Sequence, residues 1–194
     1  MVSVAELKIT KVKVMNTEFK SRKHPRLKNY DYNISGAYFI TICTKDRKHI
    51  LGSIVNAEGI VVKSSGIVGR VDPGAPNIKL SQYGQIVSKC IADINFCYES
   101  RVTVDKYIVM PNHIHLIVSI NGGAPGSTRP TSTAIPNVIS AFKKITNKQC
   151  ELKLWQSSYY DHIIRSEKDY QEIWKYIDEN PIKWELDKYY KQLD

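Results

Sequence analysis

Met110-Pro-Asn-His113-Ile-His115-Leu-Ile-Val118 sets two histidines two residues apart inside an apolar run. Side chains alternate across a strand, so His113 and His115 share one face while Ile114 and Leu116 point into the opposite layer. Two neutral imidazoles converging from a rigid strand form the start of a divalent metal site that needs a third ligand from elsewhere. A bare His-x-His is more often a pair of ordinary strand histidines on a solvated face, and the surroundings must decide between the two readings.

Upstream, Val102 to Met110 reads as a second extended segment. It either turns back at Pro111-Asn112 or bends there within one long strand, since proline is poorly tolerated inside a central strand. Before it, Tyr83, Ile86, Val87, Cys90, Ile91, Ile94 and Cys97 recur at three and four residues, which predicts an amphipathic helix from Ser81 to about Tyr98. Gly36 to Thr44, rich in β-branched and aromatic residues, predicts a central strand. Residues 50–79, broken by Gly59, Gly66, Gly69 and Pro73-Gly74, read as a hairpin-like excursion and a loop.

Downstream, Asn121 to Ala134 is a Gly/Pro/Ser/Thr-rich connection. Val138, Ala141, Phe142 and Ile145 mark a helix, Tyr159 to Ile164 a short strand. Ser166 with Asp169 then opens a last helix, whose stripe is Tyr170, Ile173, Trp174 and Ile177 and which Pro181 stops. The expected fold class is α+β: a ferredoxin-like antiparallel sheet with helices packed on one face, plus a C-terminal helix. The histidine strand is expected to be central.

The chain of 194 residues carries 28 Lys and Arg against 19 Asp and Glu, a surplus of nine positive charges that points to a polyanionic partner. Eight basic residues against Glu6 and Glu18 fall within residues 1–30, among them Arg22, Lys23, Arg26 and Lys28, which makes this stretch a basic arm. A solubilising tail and a nucleic-acid arm are equally consistent with that charge. Cys43, Cys90, Cys97 and Cys150 lack C-x-x-C spacing and read as core thiols of a reducing compartment. No stretch reaches the roughly 20 apolar residues of a spanning helix, and the start lacks a secretory block, so a cytoplasmic protein with no membrane partner is expected. The expected organisation is an arm over 1–30, one domain over 31–184 and a polar tail over 185–194.

On the last helix Tyr176 and Asn180 are four residues apart and lie on the flank of the apolar stripe, where a residue can be packed on one side with its polar end free. A phenol so placed can serve as a nucleophile. With 12 tyrosines in the chain, a packing role is the competing reading, and Tyr159, Tyr160, Tyr170, Tyr189 and Tyr190 are rivals.

Three blocks, Tyr107-Ile-Val-Met-Pro-Asn-His-Ile-His-Leu-Ile-Val118, Trp155-Gln-Ser-Ser-Tyr-Tyr-Asp-His-Ile-Ile-Arg165 and Tyr176-Ile-Asp-Glu-Asn-Pro181, together resemble the signatures of the REP-associated tyrosine transposases. These belong to the single-strand transposases of small insertion sequences, within the His-hydrophobic-His endonucleases. Arg26-Leu-Lys-Asn-Tyr-Asp-Tyr32 and the Gly36–Thr44 segment extend the resemblance over most of the chain. It implies a bacterial protein in which His113, His115 and Asn180 bind Mg²⁺ or Mn²⁺ and Tyr176 is the nucleophile of a 5′-phosphotyrosine intermediate. His162 either faces the active centre or is a core histidine.

The implied partner is single-stranded or hairpin DNA, with Arg22, Lys23, Arg26, Lys28, Lys143 and Lys144 as phosphate contacts. The implied activity is cleavage and rejoining of DNA at repeat hairpins. A catalytically silent hairpin-binding regulator and a phosphodiesterase that uses water are the alternatives. A monomer is expected rather than a homodimer that exchanges the tyrosine helix.

Overall fold

The computed structural model describes residues 35–55, 77–98, 101–121 and 134–190. The arm over 1–30, and with it Arg22, Lys23, Arg26 and Lys28, lies outside the described residues, as does most of the connection before the second helix. Among the described residues six strands and three helices follow in order: β1 (Gly36–Cys43), β2 (Gly52–Val55), β3 (Asn77–Leu80), α1 (Gln82–Cys97), β4 (Val102–Met110), β5 (His113–Ile120), α2 (Ala134–Gln149), β6 (Tyr160–Ile164) and α3 (Glu167–Glu179). Short 3-10 turns cover Lys45–Arg47 and Trp184–Leu186.

Four strands form one antiparallel sheet in the order β4-β5-β1-β6, and β2 pairs with β3 in a separate two-stranded ribbon. With that ribbon set aside, the chain runs strand-helix-strand-strand-helix-strand, and the first strand lies between the third and the last, a ferredoxin-like arrangement. The two readings of the Pro111 region are thereby resolved: Pro111 and Asn112 are the turn between β4 and β5, which then pair side by side. The proline sits where no ladder hydrogen bond is needed from its nitrogen.

The alternation of β1 and β5 builds two layers. Tyr38, Ile40 and Ile42 with Ile114, Leu116 and Val118 face α1 and α2, meeting Val87, Ile91, Ile135 and Ile139 in the main core. Phe39 and Ile117 face the other way and are covered by Ile173 and Ile177 of α3. Two helices thus pack on one face, and the C-terminal helix lies across the face that carries the histidines. Covering both faces is what makes β5 buried along nearly its whole length.

The helix starts follow the expected chemistry. Ser81 caps α1 by accepting from Gly84 N, and Ser166 caps α3 by accepting from Asp169 N. Gly84 is also required sterically, because a Cβ there would stand 2.0 Å from the Leu51 carbonyl oxygen. That carbonyl accepts from Ser81 N, and Leu51 N donates to Pro111 O, so the contact ties α1 to the β4-β5 turn. Gly84→Ala is therefore expected to cost about 2 kcal/mol or more despite alanine's better helix propensity. Thermal melts should show a fall of roughly 5 °C or more; an unchanged melting temperature would refute the tight approach.

Three of the four cysteines, Cys43, Cys90 and Cys150, are buried, whereas Cys97 at the end of α1 is exposed, and all four are free thiols. No described helix is long and apolar enough to cross a membrane.

Candidate active site and metal centre

His113 and His115 follow directly from the turn at Pro111-Asn112, and the alternation of β5 sends both rings to the α3 face, where each is fully buried. Their Nε2 atoms stand 3.0 Å apart. Each Nδ1 is held from behind: His113 Nδ1 by Asn112 Oδ1 at 2.8 Å, and His115 Nδ1 by Thr41 Oγ1 at 2.8 Å across the β1-β5 ladder. Asn112 Nδ2 donates to the carbonyls of Tyr189 and Arg47, at 2.8 and 3.3 Å, which makes its Oδ1 the acceptor and His113 Nδ1 the donor. His113 Nε2 consequently carries a lone pair towards the site. Burial pushes the His113 imidazole down to about 4 and the neighbouring Asp187 carboxylate only partly opposes it. His115 is lowered by burial and by His113. Both rings are neutral at neutral pH, the form that ligates metals.

Tyr176 reaches the same spot from α3. Its hydroxyl lies 3.4 Å from His115 Nε2 and donates to Asp187 Oδ2 at 3.0 Å. Phe39 forms the wall, edge-on to the Tyr176 ring with centroids 6.0 Å apart and 5.1 Å from His115. Burial first, then the Asp187 carboxylate and its hydrogen bond, raise the phenol well above its ordinary value. A phenol so placed keeps its proton until positive charge is brought near.

Asn180, the residue after α3, is buried, and its Nδ2 donates to Asp187 Oδ2 at 2.8 Å. Its Oδ1 has no hydrogen-bond partner. A buried amide oxygen left unpaired is costly and asks for an electrophile.

Asp187 is the residue that sequence reasoning missed. Its carboxylate and the two imidazoles offer ligand atoms all within 4.8 Å of one another, a group that could hold a metal ion. Within the stretch read as a polar tail, residues 185–190 instead fold back over the histidines: Tyr189 is buried, its ring centroid 4.9 Å from that of His113, and Trp184, just before the stretch, lies 5.8 Å from His113. The signal was present in Trp184-Glu-Leu-Asp-Lys-Tyr-Tyr190, where three aromatic residues in seven are too many for a solvated tail.

The donor set fits a divalent cation. Two imidazole nitrogens 3.0 Å apart lie within the span of two ligands on one ion at bond lengths of about 2.1 Å, the Asp187 carboxylate is beside them, and Asn180, whose Oδ1 is orphaned, holds that carboxylate through its Nδ2 at 2.8 Å. With the Asp187 carboxylate next to two imidazoles, the donors also match a set that zinc accepts.

The other expected site residues lie apart from this cluster. His162 shares the α3 face of the sheet through its pairing with Phe39, and its Nε2 bonds Asp169 Oδ2 at 2.9 Å, tying β6 to the first turn of α3. Lys143 serves the fold: its Nζ donates to the carbonyls of Gln156, Ser157 and Ser158, at 2.9, 3.3 and 2.8 Å, and burial brings its pKa down to about 8. Three carbonyls match its three N–H groups, so a phosphate would have to displace them. Lys144 is exposed. In the second block Trp155 is core, its Nε1 donating to Thr146 Oγ1 at 2.8 Å.

Fold and site together define a class: an antiparallel α+β domain with a strand-borne histidine pair and a helix-borne tyrosine meeting within one chain. The same fold occurs in the solved structure of a REP-associated tyrosine transposase bound to a REP hairpin, which aligns with a TM-score of 0.53 at 20% identity over 82% of this chain and 73% of the other. A structure from Deinococcus radiodurans R1 aligns with a TM-score of 0.41 at 18% identity, over 79% and 95%, too loosely to bear on the fold. In sequence, the chain is 32% identical over 193 residues to an uncharacterized protein of Haemophilus influenzae strain KW20 / Rd, covering 90% of this chain and 96% of the relative. The chain belongs to the family of that protein. No protein-family model matches it.

Proposed function

We propose that this protein is a metal-dependent single-strand DNA endonuclease and strand transferase that cleaves and rejoins DNA at repeat hairpins through a 5′-phosphotyrosine on Tyr176. The observation that carries this reading is the 3.4 Å separation of the Tyr176 hydroxyl from His115 Nε2, with Asp187 Oδ2 at 3.0 Å, all from one chain. A site complete within one chain supports a monomer, and the DNA-bound structure sharing this fold supports DNA as the partner.

His113, His115, Asp187 and the Asn180 amide oxygen would hold Mg²⁺ or Mn²⁺, the two imidazoles favouring Mn²⁺ of the pair. The ion supplies Lewis-acid stabilisation of a phosphate oxygen and offsets the negative charge that keeps Tyr176 protonated. Tyr176 Oη forms the bond to phosphorus, and the P–O3′ bond breaks. The phenolic proton passes to Asp187, which already accepts it in a hydrogen bond, and the departing 3′ oxygen leaves as a hydroxyl after taking up a proton from solvent. Attack by a 3′-hydroxyl on the phosphotyrosine reverses these changes, so rejoining consumes neither ATP nor water. Thr41 and Asn112 fix the imidazoles, and Phe39 keeps water from one side of the phenol. Arg22, Lys23, Arg26, Lys28 and Lys144 would contact the DNA backbone, with residues 1–30 acting as an arm on the domain.

The direct test is incubation with a labelled single-stranded repeat hairpin and Mn²⁺ or Mg²⁺, with denaturing gels to detect a protein–oligonucleotide adduct. An adduct is expected only with the divalent ion. Absence of any adduct while the hairpin still binds would instead support the second reading, a silent hairpin-binding regulator. That reading has its own observation: both histidines are fully buried beneath Tyr189, so the Tyr189 ring must move aside before a phosphate can enter.

Asp187→Asn keeps the shape and removes the charge. It is expected to weaken Mn²⁺ binding about 10- to 100-fold, the range for losing one supporting group of a metal site. Titration calorimetry would show it, and unchanged affinity would remove Asp187 from the ligand set.

A further inference from the structure

Arg47 stands at the mouth of this site in a backbone that has to be forced. Asp46 and Arg47 are consecutive non-glycine residues with φ of 58° and 54°, left-handed values that L residues adopt at a cost. The turn is nonetheless held firmly. Lys45 N donates to Leu154 O at 2.6 Å, Arg47 N to Thr44 O at 3.1 Å, and Asn112 Nδ2 to Arg47 O at 3.3 Å. Asn112 is the residue whose Oδ1 fixes His113 Nδ1, so one side chain sets the position of Arg47 relative to the metal-ligating histidine. Strain maintained by such a contact places a side chain where relaxed geometry would not.

The place is one aromatic ring away from His113. The Arg47 guanidinium lies 5.6 Å from the centroid of the Tyr189 ring, and that ring in turn lies 4.9 Å from His113. Lys188 Nζ lies 5.0 Å from the same Tyr189 centroid. Two cations are therefore gathered on one aromatic ring. The carboxylate that precedes Lys188 is already engaged, since Asp187 Oδ2 takes hydrogen bonds from Tyr176 and Asn180 and Oδ1 takes one from Tyr189 N. Among the described residues the guanidinium makes a single hydrogen bond, to Lys188 O at 3.4 Å, out of five N–H donors. A planar fork with most of its donors uncommitted, beside a metal site, is matched to a phosphodiester oxygen pair.

We propose that Arg47 is the phosphate clamp of this site, its guanidinium binding the non-bridging oxygens of the DNA phosphate that Tyr176 attacks; this rests on the function proposed above. Lys188 adds charge but adjoins Tyr189, the ring that must move aside, whereas the Arg47 backbone is anchored to the β4-β5 turn through Asn112. Lys143, which is half-buried, is committed to three carbonyls.

The test uses the full chain with a single-stranded repeat hairpin. Arg47→Ala is expected to lower the single-turnover rate of adduct formation about 100-fold, the scale for losing one preorganised donor. Hairpin affinity should change less than about threefold, since one phosphate contact among many is lost. Ethylguanidinium added at millimolar concentration should restore at least a tenth of the lost rate, and Arg47→Lys should be intermediate. A rate loss without chemical rescue, accompanied by a matching fall in melting temperature, would reduce Arg47 to a structural role and overturn the proposal, as would an unchanged rate. A second measurement is independent of cleavage: the Arg47 Nε–H resonance, assigned by its absence in Arg47→Ala, should shift when the hairpin is added in Mg²⁺. A shift without any adduct from the wild type would reject the enzymatic reading while upholding Arg47 as a phosphate-binding group of this site; no shift with saturating hairpin would reject phosphate binding by Arg47 itself.

Discussion

Tyr176→Phe is expected to abolish the covalent protein–DNA adduct completely while leaving hairpin binding within about twofold of wild type. The substitution removes only the oxygen that would bond to phosphorus. The ring stays, and with it the edge-on contact to Phe39 and the packing at 5.3 Å from the His115 ring. The lost hydrogen bond leaves Asp187 Oδ2 still paired with Asn180 Nδ2, so the stability cost should stay near 1 kcal/mol, the ordinary net value of one hydrogen bond. Adduct formation, which needs a nucleophile, cannot fall gradually. An adduct retained at wild-type yield would show that another tyrosine is used; Tyr189 is the obvious rival, because its ring lies 5.8 Å from His115. Strand scission that persists without an adduct would mean that water is the nucleophile.

His113→Ala combined with His115→Ala should eliminate tight Mn²⁺ binding and adduct formation together. Both nitrogens that face each other at 3.0 Å are removed, and a lone carboxylate with one amide oxygen is a weak site for a divalent ion. Removing two fully buried rings also opens a cavity under Tyr189 and Trp184, and a destabilisation of about 3 kcal/mol or more follows from that alone. Circular dichroism therefore has to accompany the binding measurement. His115→Gln, which preserves more volume, separates the effects: it should keep the fold and still lose the adduct. If Mn²⁺ binds the double variant with wild-type affinity, the metal site lies elsewhere. Removing the ion from the wild type with a chelator should stop adduct formation reversibly.

Much of this could be read along the chain because the determining forces act locally. The amphipathic period of α1, the serine caps of α1 and α3 and the alternation of β1 and β5 each involve residues within a few positions of one another. So does the spacing of Tyr176 and Asn180, which places them on one flank of a helix whatever it packs against. Residues 50–79 gave only a broken pattern, and the structure shows the base of the excursion as the β2-β3 ribbon.

Long-range placement decided the rest. No local pattern says that α3 crosses the histidine face rather than joining α1 and α2, because its stripe of Ile173 and Ile177 would suit either layer; Phe39 and Ile117 on the far side of the sheet settle it. Lys143 looks from its spacing like a solvated cation, and only the approach of residues 156–158 makes it a clamp on three carbonyls. Asp187 is the clearest case. Hydropathy treats it as one charge in a polar ending, but folding the aromatic residues around it against His113 brings its carboxylate to Tyr176, Asn180 and both imidazoles. The sequence by itself determined which side chains can ligate a metal and attack phosphorus, since that depends on their chemistry. Only the tertiary structure determined that a carboxylate 74 positions after His113 stands beside the two imidazoles, because that depends on the burial of the Trp184 and Tyr189 rings against a distant strand.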